Sequence, residues 1–268
     1  MENRNILIYY SLVTGGDWDK TFAMIEEKAP YPSEEEVLRM IHQQKCQIVT
    51  MFDEDYPQYF MEKGFFKLPF VLYYYGDISL IRDDDKNIAV VGSRKCTEYG
   101  EKMTRELVEG VSDKLNIVSG LAKGIDSCAH HACINKKGKT IAVLGGGIDY
   151  IYPAESADLY FEIKEKGLLI SEHPGNIPPK SEDFPFRNRL IIGFSRAVLI
   201  PQGCKRSGTQ ISASFATMSN KEVLCVPTQA GEDSLTNDLI KAGAYLVENV
   251  QDVFDALTRA TNPTEFGS

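Results

Sequence analysis

The chain has 268 residues, of which 43% are hydrophobic and 25% charged, and it carries a formal net charge of −9 with a pI near 5.1. That composition is globular, neither disordered nor fibrous, and the length fits one large domain with a small appendage, enough to bury roughly 70–75% of the unfolded surface without covalent staples. It excludes a uniformly basic surface; no apolar run approaches the ~20 residues that cross a bilayer, and Met1-Glu2-Asn3-Arg4 lacks the basic head and apolar body of a secretory signal, so the expected location is the cytoplasm, without membrane insertion.

Residues 1–44 are predicted to be a small helical region. Glu34 to Gln44 puts Val37, Leu38 and Ile41 on one helical face behind a Ser33 cap, and Pro30 and Pro32 separate this helix from the one before. Residues 46–75 read as an extended lead-in, CQIVTMF and FVLYYYGD around a proline-containing loop, followed by a polar loop from Arg82 to Lys86. From Asn87 onward short β-branched runs (88–91, 116–119, 140–144, 168–171, 197–201, 222–226 and 244–247) alternate with amphipathic stretches. This alternation predicts an α/β fold with a mostly parallel sheet and helices on both faces. The expected division is 1–44 helical, 45–260 the sheet domain, and 261–268 a tail.

In such sheets ligands bind beyond the carboxyl ends of the strands, where helix N-termini present free amides. The first strand of the repeat ends in Gly92-Ser93-Arg94, the second in SGLAKGID with Gly120 and Lys123, and the third in Gly145-Gly146-Gly147. None is a dinucleotide fingerprint or a P-loop, and a glycine after a strand is by itself ordinary turn geometry; alignment at one sheet edge is what points to a ligand. FPFRNR is expected to set Arg187, Asn188 and Arg189 at a helix start, with Phe184 as either a stacking face or a hydrophobic plug. In Lys205-Arg206-Ser207-Gly208-Thr209-Gln210 the S-x-x-Q spacing predicts a capping box. The whole segment from Phe184 to Lys221 lacks Asp and Glu while holding Arg187, Arg189, Arg196, Lys205, Arg206 and Lys221, so one basic face on an acidic body is expected, suited to a polyanion.

The six cysteines lack CxxC spacing and are expected to be reduced, mostly buried small hydrophobes. His130 and His131 between Cys128 and Cys133 invite a zinc site, but the two cysteines fall roughly 140° apart on a helix and cannot share a tetrahedral centre. Packing is the expectation, with Asp126 and His130 as an i,i+4 pair. Ser207 has no sequence-visible His or Asp partner.

Taken in order, GSR, SGLAKGID, TIAVLGGGIDYIYP, SEHPG, FPFRNR and RSGT-IS resemble the DprA (Smf) family of DNA-processing proteins over about residues 46–250. The resemblance implies an extended Rossmann-like fold, a homodimer, no cofactor, no catalytic step, binding of single-stranded DNA, and delivery of a RecA-type recombinase during natural transformation. It implies a pocket of Gly92, Ser93, Arg94, Lys123, Phe184, Arg187, Asn188, Ser207 and Gly208; Gly120, Arg189 and Thr209 join from the same loops, and Lys180 from the loop before Phe184. The sequence departs from the family at Ser156, at Gln202 (where an acidic residue is common), at Gln210 and at Thr228. Leu239, Val253 and Phe254 are candidates for the dimer surface. The alternative is a nucleotide-binding module or a nucleoside-monophosphate phosphoribohydrolase-like enzyme. For the latter, PQGCKRSGTQ lacks paired glycines and has no carboxylate before Glu222.

Overall fold

The β-branched runs become strands because turn-forming residues flank them and the central ones are buried throughout, whereas the last, Tyr245–Leu246, stays partly exposed at the sheet edge. The protein's computed structural model describes residues 2–232 and 234–261; of the expected tail, 262–268 lie outside the described residues. Three N-terminal helices, α1 (Asn3–Thr14), α2 (Trp18–Glu26) and α3 (Glu34–His42), lead to β1 (Gln47–Thr50), a short α4 (Tyr59–Glu62) and β2 (Val71–Gly76). The repeating part follows as β3 (Asn87–Val90), α5 (Glu98–Val111), β4 (Asn116–Ser119), α6 (Ile125–Asn135), β5 (Thr140–Val143), α7 (Ala157–Lys166) and β6 (Leu168–Ser171). It continues through α8 (Asp183–Gly193), β7 (Ala197–Ile200), α9 (Gly208–Met218), β8 (Glu222–Cys225), α10 (Leu235–Lys241), β9 (Tyr245–Leu246) and α11 (Val250–Thr261). Ser33 accepts the Glu36 amide at the start of α3, as its position predicts, and Thr97 does the same for Gly100 in α5.

The sheet has the strand order β1-β2-β6-β5-β4-β3-β7-β8-β9. From β6 to β9 every pairing is parallel, and the lead-in adds β2 and β1 as antiparallel strands on one edge. Strand order reverses between β3 and β7, which makes the crevice beyond their carboxyl ends a topological switch point.

Alternation along each strand sorts the core. Ala89, Val118, Ile141, Val143, Val198 and Ile200 face α8 and α9 with Tyr56, Phe60 and Phe194. Ile88, Val90, Ile117, Leu199 and Leu224 face α5, α6 and α11. A third cluster joins Leu7 and Ile8 of α1 to Tyr73, Ala142 and Leu169 of the sheet. Val253 is fully buried in the second cluster, so it cannot serve the dimer surface, and Phe254 packs partly against the same cluster beneath Lys114. Three of the six thiols are buried (Cys46, Cys133 and Cys225), Cys96 and Cys128 are half-buried, and Cys204 is exposed. No helix among the described residues is long and apolar enough to cross a membrane.

The expected Asp126–His130 pair does not form. The His130 ring is sealed in the core, 2.7 Å from the Thr140 hydroxyl, which itself donates to the Ile117 carbonyl; the imidazole Nδ1–H must therefore be the donor to Thr140. Burial, with the positive charges of His131 and then Arg187 nearby, pushes the His130 pKa down to about 3. Between that value and the ordinary 6.5 the unfolded chain binds the proton and the folded chain does not, so this group erodes stability as pH falls through that window. His130→Gln should flatten the acid limb of a urea-unfolding pH series, removing a slope of up to about 1.4 kcal/mol per pH unit between pH 6 and 4.

Candidate functional site

Strand-end loops converge at the switch point on an open groove of about 1060 Å³. Gly92, Ser93 and Arg94 enter from the end of β3, Ala122 and Asp126 from the β4–α6 turn, and Phe184, Arg187, Asn188 and Ile191 from α8. The β7–α9 turn closes the ring with Cys204 and Arg206 to Thr209. A narrow recess of about 70 Å³ opens beside it between Gly120, Lys123, Gly145, Gly146 and Pro179, sharing Arg94, Tyr152 and Phe184 with the groove. The recess and the groove therefore form one continuous depression at the sheet edge.

Arg187 is the strut of this edge. Its guanidinium donates to the carbonyls of Gly120, at 2.9 Å, and Val143, and its Nε reaches Asn188. A Cβ on Gly120 would lie 2.6 Å from that guanidinium, so only glycine lets the side chain in. Asp126 faces Arg187 and accepts the Gly120 amide at 3.2 Å. Burial raises the Asp126 pKa, opposed by Arg187 and by the amides of Gly120, Ala122 and Gly92; burial lowers Arg187 to about 10, opposed by Asp126. Both results describe one buried pair that trades hydration for contacts.

Exposed cations occupy the mouth. Arg94 lies 5.1 Å over the Phe184 ring, and Tyr152, half exposed, sits 5.5 Å from the same ring. Phe184 therefore already carries an arginine and a tyrosine on its surface, and Tyr152 is the aromatic with open area. Lys123 points into the recess but is held 2.7 Å from Glu155. Arg206 stands at a left-handed φ of 54°, its amide donating to the Gln210 side chain at 2.9 Å.

That last bond corrects the capping box. Gln210 reaches Arg206 rather than Ser207, the Ser207 hydroxyl donates back to the Cys204 carbonyl, and no side chain caps α9. The α9 N-terminus, with its partial positive charge, therefore opens onto the groove beside Ser207, Gly208 and Thr209.

The FPFRNR segment is also corrected. α8 begins at Asp183, so Arg187 to Arg189 fall in its second turn rather than at its start. At about 100° per residue, Arg187 and Arg189 point to opposite sides. Arg189 is 1% exposed, bound to Glu172 at 2.6 Å and stacked 4.0 Å over Phe186, away from the groove. Lys180 is exposed outside the groove, its ammonium 3.9 Å from Glu182.

The acid-free segment does not form one basic face. Lys221 is buried against Asp84 and the carbonyls of Ile192, Gly193 and Ser195 at the end of α8, and Arg196 bonds the carbonyls of Asp85 and Leu257. Lys205 pairs with Asp238. Of the six, only Arg187 and Arg206 line the groove. Gln202, at the position where an acid is common, accepts the Thr97 amide at the start of α5 with its side-chain oxygen. Groove residues that the sequence reading did not place in the site include Lys95, just past the GSR motif, and Tyr152 and Asp126, both inside quoted motifs, whose orientation became evident only from the folded turns.

The family model "DNA recombination-mediator protein A" matches residues 47–258. The chain belongs to this family. The DNA processing protein DprA of Bacillus subtilis is 36% identical over 230 residues, covering 85% of this chain and 76% of that protein. Protein Smf of Synechocystis is 40% identical over 190 residues, but this chain spans only 47% of it. The X-ray structure of DprA from Streptococcus pneumoniae superposes with a TM-score of 0.79 at 32% identity, covering 94% of this chain and 92% of that one. DprA from Helicobacter pylori, solved to describe its single-stranded DNA binding mode, gives a TM-score of 0.71 at 29% identity over 81% of this chain and 97% of that one. These likenesses carry the extended Rossmann-like α/β fold over to this chain.

Arg189 on α8 and Arg94 after β3 should separate by stability. Arg189→Ala leaves Glu172 buried without its partner and should cost about 3–5 kcal/mol in urea unfolding, whereas Arg94→Ala should stay within about 0.5 kcal/mol of the parent.

Proposed function

We propose that the groove holds the sugar–phosphate backbone of single-stranded DNA. The observation that carries this reading is the meeting of exposed Arg94, Lys123 and Arg206 with the uncapped N-terminus of α9, at the open switch point of a chain whose net charge is −9. Guanidinium groups and free amides satisfy phosphate oxygens without reading base edges, and Tyr152 offers a π-face for stacking of any base. Gly92, Ser93, Gly120, Asn188, Ser207, Gly208 and Thr209 would shape the backbone path, with Phe184 and Arg187 holding its wall. The H. pylori relative studied for its single-stranded DNA binding mode supports the same assignment.

In the cell the bound strand would be protected and passed to a RecA-type recombinase during natural transformation, by a cytoplasmic homodimer; these steps rest on the family. No cofactor is needed and no catalytic step is assigned. Asp126, the carboxylate of the groove, is spent on backbone amides and Arg187, which favours binding over N-glycosidic cleavage.

An exposed lysine held by Glu155 is a phosphate contact in waiting. Glu155→Gln should tighten binding of an oligothymidylate about two- to fivefold, since such exposed pairs are worth about 0.2–1 kcal/mol. Arg94→Ala and Arg206→Ala should each weaken binding and flatten the log–log salt dependence by about 0.7. Fluorescence anisotropy across a salt series, with single-stranded, double-stranded and mononucleotide ligands, checks all of these. Unchanged affinity in both arginine variants, or equal affinity for duplex, contradicts the proposal, and release of free base from a mononucleotide would favour the hydrolase.

A further inference from the structure

α8 has a front and a back. Its front carries Phe184, Arg187, Asn188 and Ile191 into the groove; its back carries Phe186 and Arg189, about half a turn away, and these touch residues outside the site. The Arg189 guanidinium is clamped between the Glu172 carboxylate and the Phe186 ring. The Lys67 ammonium also lies over that ring, 5.5 Å from its centre, and stands 4.8 Å from the Trp18 ring and 2.6 Å from Asp19. Trp18 stacks on both Phe22 and Phe70, which also stack on each other, and its indole N–H donates to the Leu68 carbonyl at 2.7 Å.

A second line of contact runs from the α1–α2 turn. A Cβ on Gly16 would lie 2.1 Å from the Glu172 carbonyl oxygen, and the Gly15 carbonyl lies 2.8 Å from the His173 ring nitrogen. The N-terminal helices thus contact the residue that binds Arg189 directly, and reach the ring that stacks on it through Lys67. Lys67 is held for this at a left-handed φ of 47°, a conformation that persists in a non-glycine residue only when its surroundings impose it. Neither Trp18 nor Lys67 lines the groove, and Trp18 precedes the segment that matches the family model, which starts at residue 47.

We infer that Trp18 and Lys67 are positioning residues for the groove: through Phe186 and Arg189 they fix the back of α8, and so the placement of Phe184, Arg187 and Asn188 on its front. The inference rests on the reading of the groove as a single-stranded DNA site. Coupling of this kind is reciprocal, so a strand bound in the groove acts back on the Trp18 stack. Trp18 is the chain's single tryptophan, and its emission reports on that stack directly.

The test uses the full chain, a labelled oligothymidylate, and the variants Lys67→Met and Lys67→Arg. Lys67→Met removes the cation shared by two rings and should weaken binding about three- to tenfold, with the salt slope unchanged because no phosphate contact is lost. Lys67→Arg, which keeps the charge over both rings, should bind within about twofold of the parent. In the parent, Trp18 emission should change on titration and saturate with the affinity given by anisotropy; in Lys67→Met that change should vanish. Should Lys67→Met fail to fold, Phe186→Leu carries the same expectation. Parent-like affinity and emission response in a folded Lys67→Met overturn the inference alone, as does a salt slope flattened by about 0.7, which would make Lys67 a direct phosphate ligand. A parent protein that binds no oligothymidylate overturns the nucleic-acid reading and the inference with it, and shows itself before any variant is made.

Discussion

The groove exists because the guanidinium of Arg187, nearly closed off from water, donates to the carbonyls of Gly120 and Val143 where β4 and β5 end. Carbonyls at the ends of parallel strands have lost their ladder partners, and leaving them buried and unpaired would cost about 1–3 kcal/mol each. One planar fork satisfies two of them and belongs to α8, so strand ends and helix cannot shift independently. Asp126 completes the arrangement by facing the guanidinium and collecting amides from the loops after β3 and β4. A glycine at 120 follows from the same geometry, because the space a Cβ would need is filled by the arginine.

This division of labour explains how an acidic protein can offer a site to a polyanion. Several cations of that segment are engaged by the protein itself: Arg189 by Glu172, Lys221 by Asp84 and the end of α8, Arg196 by two carbonyls. The exposed cations of the mouth, Arg94, Lys95 and Arg206, stand on turns that precede helices, with Lys123 on a third turn under partial restraint by Glu155. The cations of the mouth thus face one edge of the sheet on a chain whose net charge is −9, and net negative charge disfavours non-specific contact with a nucleic acid backbone.

The strands were legible because parallel strands buried on both faces must be continuous β-branched runs, and 116–119 and 168–171 coincide with β4 and β6. The Ser33 cap was legible because capping is local chemistry. What could not be read was direction. Arg187 and Arg189 look equivalent in FPFRNR, yet a helix that begins at Asp183 sends one to the strand ends and the other to a buried carboxylate. The Ser207–Gln210 spacing suited a capping box, but the left-handed backbone at Arg206 offered Gln210 a different amide. Likewise His130 chose Thr140, across the α6–β5 connection, over Asp126 one helical turn away. In each case a contact distant in sequence, or a turn geometry set by tertiary packing, overrode the local pattern.

The account stands on the convergence of separate turns upon one ligand path, and amide hydrogen exchange with and without a saturating oligothymidylate tests it most directly. The predicted footprint is simultaneous slowing at 92–95, 120–123, 184–188 and 206–209, with the outer strands β1 and β9 unchanged. Slowing confined to one of these segments, or located on the opposite edge of the sheet, would contradict it.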